Sequence, residues 1–578
     1  MRTVSFNING IDAEAPEGST ILEAAKYAGV EIPSLCYLKD VSNIASCRIC
    51  VVELIGRPTL VAACAAPVEE GMRILTNSPR VRKSRKLSLE LILSNHKKKC
   101  LSCAKNNHCE LQRLSLEYGV DEDYFMSHVP DTEIDDASPY LVRDNSKCIL
   151  CRRCVGACKN VQSISVIGAA NRGYETSIGC AFEKSLADSP CVGCGQCVVA
   201  CPVGALTVKS NADAVWEALA DPEKTVVFFT APAVRATLGE MFGRPIGTNV
   251  EGQMTAAIRR LGADLVFDMN ITADLTIMEE AAELIDRVKN KKTLPMFTSC
   301  CPGWVKFLEH YYPDMLEHLS TCKSPQQMFG AVLKSYYCEK NHIDPKNLFV
   351  VSVIPCTSKK FEITREEQMR GGMQDVDVAL TTKELGQMIQ TAGIQFESLE
   401  PEPFDDPFGV STGAAVIFGA TGGVMEAALR TAAYHLDGQS ELVEFQDVRG
   451  TDGIREASYF IGGVEVNVAV ASGLANARKV VEMIRSGEKD YTMVEIMACP
   501  GGCINGGGQP DQPDKVRNTV DLKAVRAKAL YDSDVSNTLR KSHESPVMEL
   551  LYSEYFDQPN SHKAHELLHT NYVERGQF

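Results

Sequence analysis

The 578-residue chain is poor in aromatic residues, which make up 7%, and has only two tryptophans. It also lacks a long hydrophobic run. Its longest uncharged stretch, Pro407 to Met425, contains five glycines together with Ser411, Thr412 and Thr421. A membrane helix needs about 20 predominantly apolar residues, so this stretch reads as glycine-rich loop and packed core, and no membrane partner is expected. Positive charge is in deficit: 59 Lys and Arg face 75 Asp and Glu, a net charge of −16. Nucleic-acid binding rests on neutralising phosphates, so no nucleic-acid partner is expected. The start, MRTVSFNING, has neither the apolar core of a signal peptide nor a twin-arginine pattern, and a cytoplasmic location is the expectation. No GxGxxG fingerprint lies in a strand–turn–helix setting. FGATGGVMEA, from Phe418, is rich in glycine but lacks that spacing, so any pyridine nucleotide needs a partner chain. What the chain does have is 23 cysteines in an otherwise ordinary composition, 44% hydrophobic and 23% charged. That is too few for a small disulfide scaffold. In a reducing compartment it points to metal, redox or catalytic roles. The length suggests about four domains.

The cysteines fall into groups with metal-site spacing. Cys36, Cys47, Cys50 and Cys64 read C-x10-C-x2-C-x13-C; zinc is the generic alternative for such a set. Upstream, Val4, Phe6 and Ile8 alternate, Asn9-Gly10 signals a type I′ hairpin, and Ser19 can cap a helix running to about Gly29. Strand, hairpin, helix and cysteine loop together resemble the β-grasp of plant-type [2Fe–2S] ferredoxins, with a looser first interval. The second group is His96, Cys100, Cys103 and Cys109, with His96 ending the apolar run LSLELILSNH. Three thiolates leave one position of a [4Fe–4S] cluster for imidazole. The spacing resembles the cluster with one histidine and three cysteine ligands in respiratory complex I and iron-iron hydrogenases. The adjoining Lys97, Lys98 and Lys99 read either as a solvated basic turn or as a guide for an acidic ferredoxin. Third comes an internal repeat: Cys148, Cys151, Cys154, Cys158, and then Cys191, Cys194, Cys197, Cys201 followed by Pro202. This is the bacterial two-cluster ferredoxin run, in which the fourth cysteine ligates the other cluster. Cys201 then joins Cys148, Cys151 and Cys154, and Cys158 joins Cys191, Cys194 and Cys197. Four clusters in sequence order suggest an electron wire and hence a terminus.

Beyond about residue 210, apolar β-runs alternate with helical stretches: TVVFF near 225, DLVF near 264, LPMF near 294, LFVVSVI near 348, VDVAL near 376 and VEIM near 494. That pattern predicts an α/β domain with largely parallel sheets, whose ligands bind beyond the carboxyl ends of strands. Cys300 and Cys301, Cys356, and Cys499 and Cys503 all follow such runs, so three loops are expected to meet on one edge. If Cys300 is spared, Cys301, Cys356, Cys499 and Cys503 remain for one buried cluster.

TSCCPGW (298–304), PCTSKKFE (355–362) and MACPGGCINGGGQP (497–510) resemble the three signatures of the iron-iron hydrogenases. With the upstream cysteine patterns, the match covers essentially the whole chain and looks like the clostridial monomeric type. The resemblance implies a multidomain α+β and α/β protein. Its parts are a β-grasp [2Fe–2S] domain over 1–79, a His-ligated [4Fe–4S] module over 80–125 and a two-[4Fe–4S] ferredoxin-like domain over 138–209. A large two-lobed α/β H-cluster domain over 210–514 and a C-terminal helical segment over 515–578 complete it. That last segment resembles what is a separate small subunit in some periplasmic relatives. The reaction implied is 2 H+ + 2 e− ⇌ H2, with protons and H2 as substrates. The implied H-cluster is a [4Fe–4S] unit joined to a two-iron site that carries carbon monoxide, cyanide and azadithiolate, and dedicated maturation proteins supply it.

Family roles carry over position by position. Cys301, Cys356, Cys499 and Cys503 match the cluster ligands, Cys503 being the bridge, and Gly501 and Gly502 are expected to let backbone approach the cluster. Cys300 matches the non-ligand thiol that exchanges protons, and Lys359 the ammonium that hydrogen-bonds a cyanide. Gln326, Phe418 and Met497 match other pocket positions. Cys300, Glu280, Ser320, Glu283 and Arg287 match the proton path; without the resemblance, Glu283 and Arg287 read as an ordinary exposed i,i+4 pair. Departures occur at Ile354, where a methionine is usual, at Ala233 after Pro232, where some relatives have serine, and at Met269. Cys180, Cys322 and Cys338 read as buried free thiols, and Trp304 as packing under the cluster loop. Ferredoxin is the expected electron partner. One alternative is the catalytic subunit of an NAD(P)-linked, possibly electron-bifurcating complex with diaphorase-type partners. Another, of a different class, is a non-catalytic iron–sulfur assembly or electron-transfer protein, or a hydrogen sensor. Retention of Cys300, Lys359 and the path carboxylates weighs against it.

Overall fold

A computed structural model describes residues 2–129, 132–438 and 444–577. The N-terminal unit is a five-stranded sheet of β1 (Thr3–Ile8), β2 (Ile11–Pro16), β3 (Val51–Leu54), β4 (Leu60–Ala62) and β5 (Met72–Leu75), in the order β2-β1-β5-β3-β4. Asn9 and Gly10 both take positive φ, closing the β1–β2 hairpin. Helix Ile21–Tyr27 buries Ile21, Leu22, Ala24 and Ala25. Its cap is Thr20, not Ser19. The Thr20 hydroxyl accepts from the Glu23 N–H while Glu23 accepts from the Thr20 N–H at 2.9 Å, a reciprocal box that Ser19 is one residue too early to form.

Helix Pro79–Ser94, capped by Ser78, leads into the second cysteine group. Arg85 on it donates to the Val51 carbonyl at 2.9 Å, tying the helix to the first sheet. The repeat module is small. β6 (Leu141–Arg143) pairs antiparallel with β9 (Leu206–Val208), and β7 (Gly168–Ala170) pairs with β8 (Ser177–Gly179). Short helices Arg153–Gly156 and Gln196–Ala200 carry cysteines of each half.

Two four-stranded sheets form the large domain. In the first, β10 (Thr225–Thr230), β11 (Leu265–Asp268), β13 (Leu348–Val353) and β14 (Val378–Leu380) run parallel in the order β11-β10-β13-β14. Val227, Phe228 and Phe229 are wholly buried, as a strand covered on both faces requires. In the second, β12 (Met296–Phe297), β15 (Ile454–Ile461), β16 (Val464–Ser472) and β17 (Met493–Met497) lie in the order β12-β17-β16-β15. The six apolar runs therefore do not share one edge: four build the first sheet and two the second. The antiparallel hairpin β15–β16 completes the second sheet. Its outer strand, IREASYFI, is half exposed and carries Arg455 and Glu456, which masks the apolar pattern. The Gly462-Gly463 turn, positive in φ at both residues, is the local signal that marks it.

The C-terminal helices Asp514–Thr519, Leu522–Ser536, Pro546–Leu551 and His562–Leu568 wrap back over the other units. Fully buried Arg153 of the repeat module makes a two-point ion pair with Asp514, at 3.0 and 2.6 Å. Asp514→Ala leaves that guanidinium buried and uncompensated, and is expected to destabilise the protein by about 3–5 kcal/mol. The checking measurement is the urea midpoint of the transition that releases the repeat module; an unchanged midpoint contradicts the bridging role.

Candidate active site and cluster modules

Four cysteines meet between the two sheets. Cys356 follows β13 of the first sheet, Cys301 follows β12, and Cys499 and Cys503 follow β17 of the second. All four line one cavity. Its walls are otherwise almost wholly apolar, including Pro232, Ala233, Met269, Ile354, Phe418 and Met497. Lys359 is the single charged residue in the lining, and Gln326 is the single side-chain amide. Lys359 donates to Glu362 at 2.9 Å. Gln326 donates to the same carboxylate at 3.0 Å and accepts from Ser352 at 2.8 Å. The cation is thus held by one carboxylate, with further N–H donors left over. Four thiols, one ammonium and apolar walls suit a buried, negatively charged iron–sulfur group with small anionic ligands.

Cys300 lines the same cavity but faces a carboxylate chain behind it. Burial, and next the charge of Glu280, hold its thiol well above the usual range, so it carries its proton. Glu280 lies on helix Asn270–Lys289, fully buried. Burial, with the charge of Glu283 second, pushes its carboxyl up to about 8. Oε1 accepts from Ser299 at 3.4 Å, whereas Oε2 is buried without a hydrogen-bond partner. A buried carboxyl with a raised pKa, set between a thiol and a second carboxylate, is suited to holding and passing a proton. Ser320 stands between the two carboxylates and donates to Glu283 at 2.9 Å. Arg287 grips Glu283 through Nε at 3.0 Å and Nη2 at 2.6 Å. Its remaining N–H groups go to the carbonyls of Thr293, Glu317, His318 and Leu319. The pair is therefore largely buried, with side chains 12% and 8% exposed, unlike the solvated i,i+4 pair that spacing alone suggests.

The glycines beside Cys503 have a conformational reason as well as the expected one. Gly501 and Gly502 take φ of +87° and +98°. A Cβ on Gly502 would lie 2.7 Å from the Thr421 nitrogen, and one on Gly501 would strike the Lys523 side chain. Gly502 also lines the cavity, so backbone without a side chain borders the space the cluster would take, as the sequence suggests.

In the N-terminal modules the structure gathers each set of cysteines. Cys36 neighbours Cys47 and Cys64, and Cys50 neighbours Cys64. Cys148, Cys151 and Cys154 each stand near Cys201, while Cys158 stands with Cys191 and Cys194, and Cys197 with them. His96 Nδ1 lies 3.0 Å from the Lys147 carbonyl. A carbonyl only accepts, so Nδ1 carries the hydrogen and Nε2 is left with its lone pair, the form in which imidazole ligates iron. Cys100 is exposed, and Cys103 and Cys109 are partly so. Replacing His96 with cysteine adds a thiolate charge and is expected to lower the potential of that cluster. A redox titration followed by electron paramagnetic resonance tests this, and an unchanged potential contradicts it.

The modules also touch. A Cβ on Gly204 would lie 2.4 Å from the Cys103 sulfur, and one on Gly156 would lie 2.4 Å from the Val41 carbonyl. Both outer modules thus abut the repeat module, one near Cys201 and one near Cys154, so the arrangement forks and is not a single file. At the inner end, the Cys499 thiol approaches the Cys194 carbonyl at 3.9 Å, and Thr357 and Ser358, which follow Cys356, donate to the Gly193 and Val192 carbonyls. Of the cysteines without an assignment, Cys180 and Cys338 are simply buried. Cys322 lies 3.9 Å from Glu283 Oε2. Sequence spacing does not reveal that neighbour, nor His569, which Thr321 links to the same carboxylate. Trp304 is wholly buried, with its backbone N–H bonded to the Cys301 carbonyl at 3.0 Å. No helix among the described residues is long and apolar enough to cross a membrane.

Comparison with known proteins agrees with this geometry. Residues 224–507 match the model for the iron only hydrogenase large subunit, C-terminal domain. Residues 1–79 match a 2Fe-2S iron-sulfur cluster binding domain, and 85–123 the NADH-ubiquinone oxidoreductase-G iron-sulfur binding region. Residues 138–207 match the ferredoxin-like domain of NADH-quinone oxidoreductase subunit 3, and 520–575 the iron hydrogenase small subunit. The chain is 48% identical to the NADP-reducing hydrogenase subunit HndD of Solidesulfovibrio fructosivorans over the full length of both. It is 44% identical to iron hydrogenase 1 of Clostridium pasteurianum, over 98% of this chain and 99% of that one. Among solved structures, [FeFe]-hydrogenase HydA1 of Chlamydomonas reinhardtii superposes with a TM-score of 0.57 at 40% identity, covering 64% of this chain and all of the other. With [2Fe–2S] and [4Fe–4S] domains leading to an H-cluster domain, the chain belongs to the iron-only hydrogenases, the enzymes that interconvert H2 with protons and electrons.

Proposed function

We propose that Cys301, Cys356, Cys499 and Cys503 hold the H-cluster, that Lys359 and Gln326 bond its ligands, and that Cys300, Glu280, Ser320 and Glu283 carry protons to it. When bound, the two-iron site supplies the metal centre at which protons and electrons combine. The chain's own residues do the rest. Cys300 offers its S–H toward the cavity and is reprotonated by Glu280. Glu280 exchanges with Glu283 through the Ser320 hydroxyl. Apolar walls keep bulk water out, so protons enter by the relay alone. The observation that carries this reading is the buried succession from Cys300, at the cavity wall, through Glu280 and Ser320 to Glu283. Fully maturated protein carrying Glu280→Ala and retaining parental hydrogen evolution would overturn it.

Electrons travel from a partner at the surface to the repeat module and on past Cys194 to Cys499. Exposed Cys100 and Leu101, the latter 96% exposed, give a partner close access to the His-ligated site. Lys98 is already paired with Asp123 at 2.7 Å, so the Lys97–Lys99 run is only partly available to an acidic ferredoxin. A second reading has a specific support: the full-length 48% match to a subunit of an NADP-reducing hydrogenase. On that reading this chain is the catalytic subunit and a partner binds the nucleotide. Native mass of the protein from its host separates the two, since a lone 63.1 kDa species favours a ferredoxin-linked monomer.

A further inference from the structure

Arg287 ends the carboxylate chain but is poorly made to pass protons. A guanidinium does not deprotonate in proteins, and every N–H of Arg287 is committed to Glu283 or to carbonyls. It fixes Glu283 in place. We propose that His569, in the C-terminal segment, is the group that exchanges protons between Glu283 and solvent, through the Thr321 hydroxyl.

The geometry is continuous. Thr321 Oγ1 lies 3.4 Å from Glu283 Oε2 and 2.7 Å from His569 Nδ1. Ligand atoms of Glu283, Cys322 and His569 lie within 4.8 Å of one another. On the far side, His569 Nε2 sits 3.2 Å from Glu279, which also accepts from Tyr552 at 2.6 Å and from the Asn560 N–H at 2.8 Å. Those donors mark Glu279 as the acceptor, so Nε2 carries a hydrogen and Nδ1 faces Thr321 as the exchanging atom. Imidazole is the side chain that gains and loses a proton between about pH 5 and 8. His569 is 8% exposed, but the exposed His565 lies against it, ring centroids 4.1 Å apart and tilted by 37°, giving a short step to water. The groups facing His569 are Glu279, Glu283, Cys322, Tyr552 and His565. The charges balance in each transfer. Imidazolium Nδ1–H gives its proton to the Thr321 oxygen as that hydroxyl gives its own to Glu283. Neutral imidazole and a neutral carboxyl result.

This inference rests on Glu283 belonging to the relay, so the test includes Glu283→Gln. Hydrogen evolution is measured on fully maturated protein at saturating electron donor, with iron content checked for each variant. His569→Ala and Thr321→Val are each expected to slow turnover by about 10²-fold. Added imidazole is expected to restore His569→Ala, whose vacated space admits it, and not Thr321→Val. Both variants at the parental rate beside an inactive Glu283→Gln overturn the His569 assignment and leave the relay intact. A slow His569→Ala that imidazole does not help, beside a normal Thr321→Val, overturns it as a structural effect. Parental activity in Glu283→Gln overturns the relay itself. Thr321→Val keeps the shape of the side chain and decides the question if His569→Ala fails to fold.

Discussion

Cys300→Ala is expected to lower hydrogen turnover by about 10²- to 10⁴-fold while leaving the iron content unchanged. Cys300 lines the cavity beside the four thiols proposed as ligands, but its neighbour on the other side is Glu280. Removing it therefore breaks proton delivery without removing a ligand, and general acid–base groups contribute rate factors of this size. Serine is a sharper probe than alanine: it keeps a hydrogen-bonding group of similar reach, but a hydroxyl ionises far less readily than a thiol, so Cys300→Ser should stay slow. Steady-state hydrogen evolution, read beside iron analysis, distinguishes the cases. A full complement of iron with parental turnover would exclude Cys300 as the proton donor. A loss of iron would instead make it a ligand.

The second large effect is at Glu280. Glu280→Gln should slow turnover by about 10²-fold or more, because the amide can neither take nor give the relayed proton. The parent carries a pH signature at the same position. Burial and Glu283 raise the Glu280 carboxyl to about 8 from an ordinary 4.5, so below that pH the group holds a proton to pass on. Above it the carboxylate is charged and the relay loses that proton. Turnover should therefore fall on the alkaline side of about pH 8. The sign for stability follows from linkage. Between pH 4.5 and about 8 the folded state holds a proton that the unfolded state has lost, so stability falls as pH rises, by up to about 1.4 kcal/mol per pH unit from this group. Glu280→Gln should remove that slope while abolishing most activity. A variant that keeps the slope assigns the titration to another group.

How much of this was legible in the sequence depends on whether a contact is local. Metal ligands cluster at short spacing because one ion or cluster must be reached from one loop, so C-x2-C pairs show the modules directly. That Cys158 stands with the second half of the repeat and Cys201 with the first is legible only because the repeat is a known run. Glu280, Glu283 and Arg287 share a helix face and are readable by periodicity, but their burial is not: it comes from Ser320 and the Leu319 carbonyl, some 32 residues onward. His569 meets Glu283 across 286 positions, through one threonine, and no local signal announces that. The Ser19 cap failed by one residue, since Ser and Thr are both favoured caps and only the Glu23 reach selects Thr20. Gly501 and Gly502 are singled out by the sequence for an approach to the cluster, and Gly502 does line the cavity; their left-handed φ and the nearby Thr421 and Lys523 are a second reason that spacing does not show.

The most direct test of the account is hydrogen evolution from reduced viologen by the fully maturated chain, compared with its Cys300→Ser and Glu280→Gln variants at equal iron content. Rapid evolution by the parent, lost in both variants, is the predicted result. An iron-complete parent that evolves no hydrogen, or variants that match it, would contradict the assignment of the cavity and its carboxylate chain as the catalytic machinery.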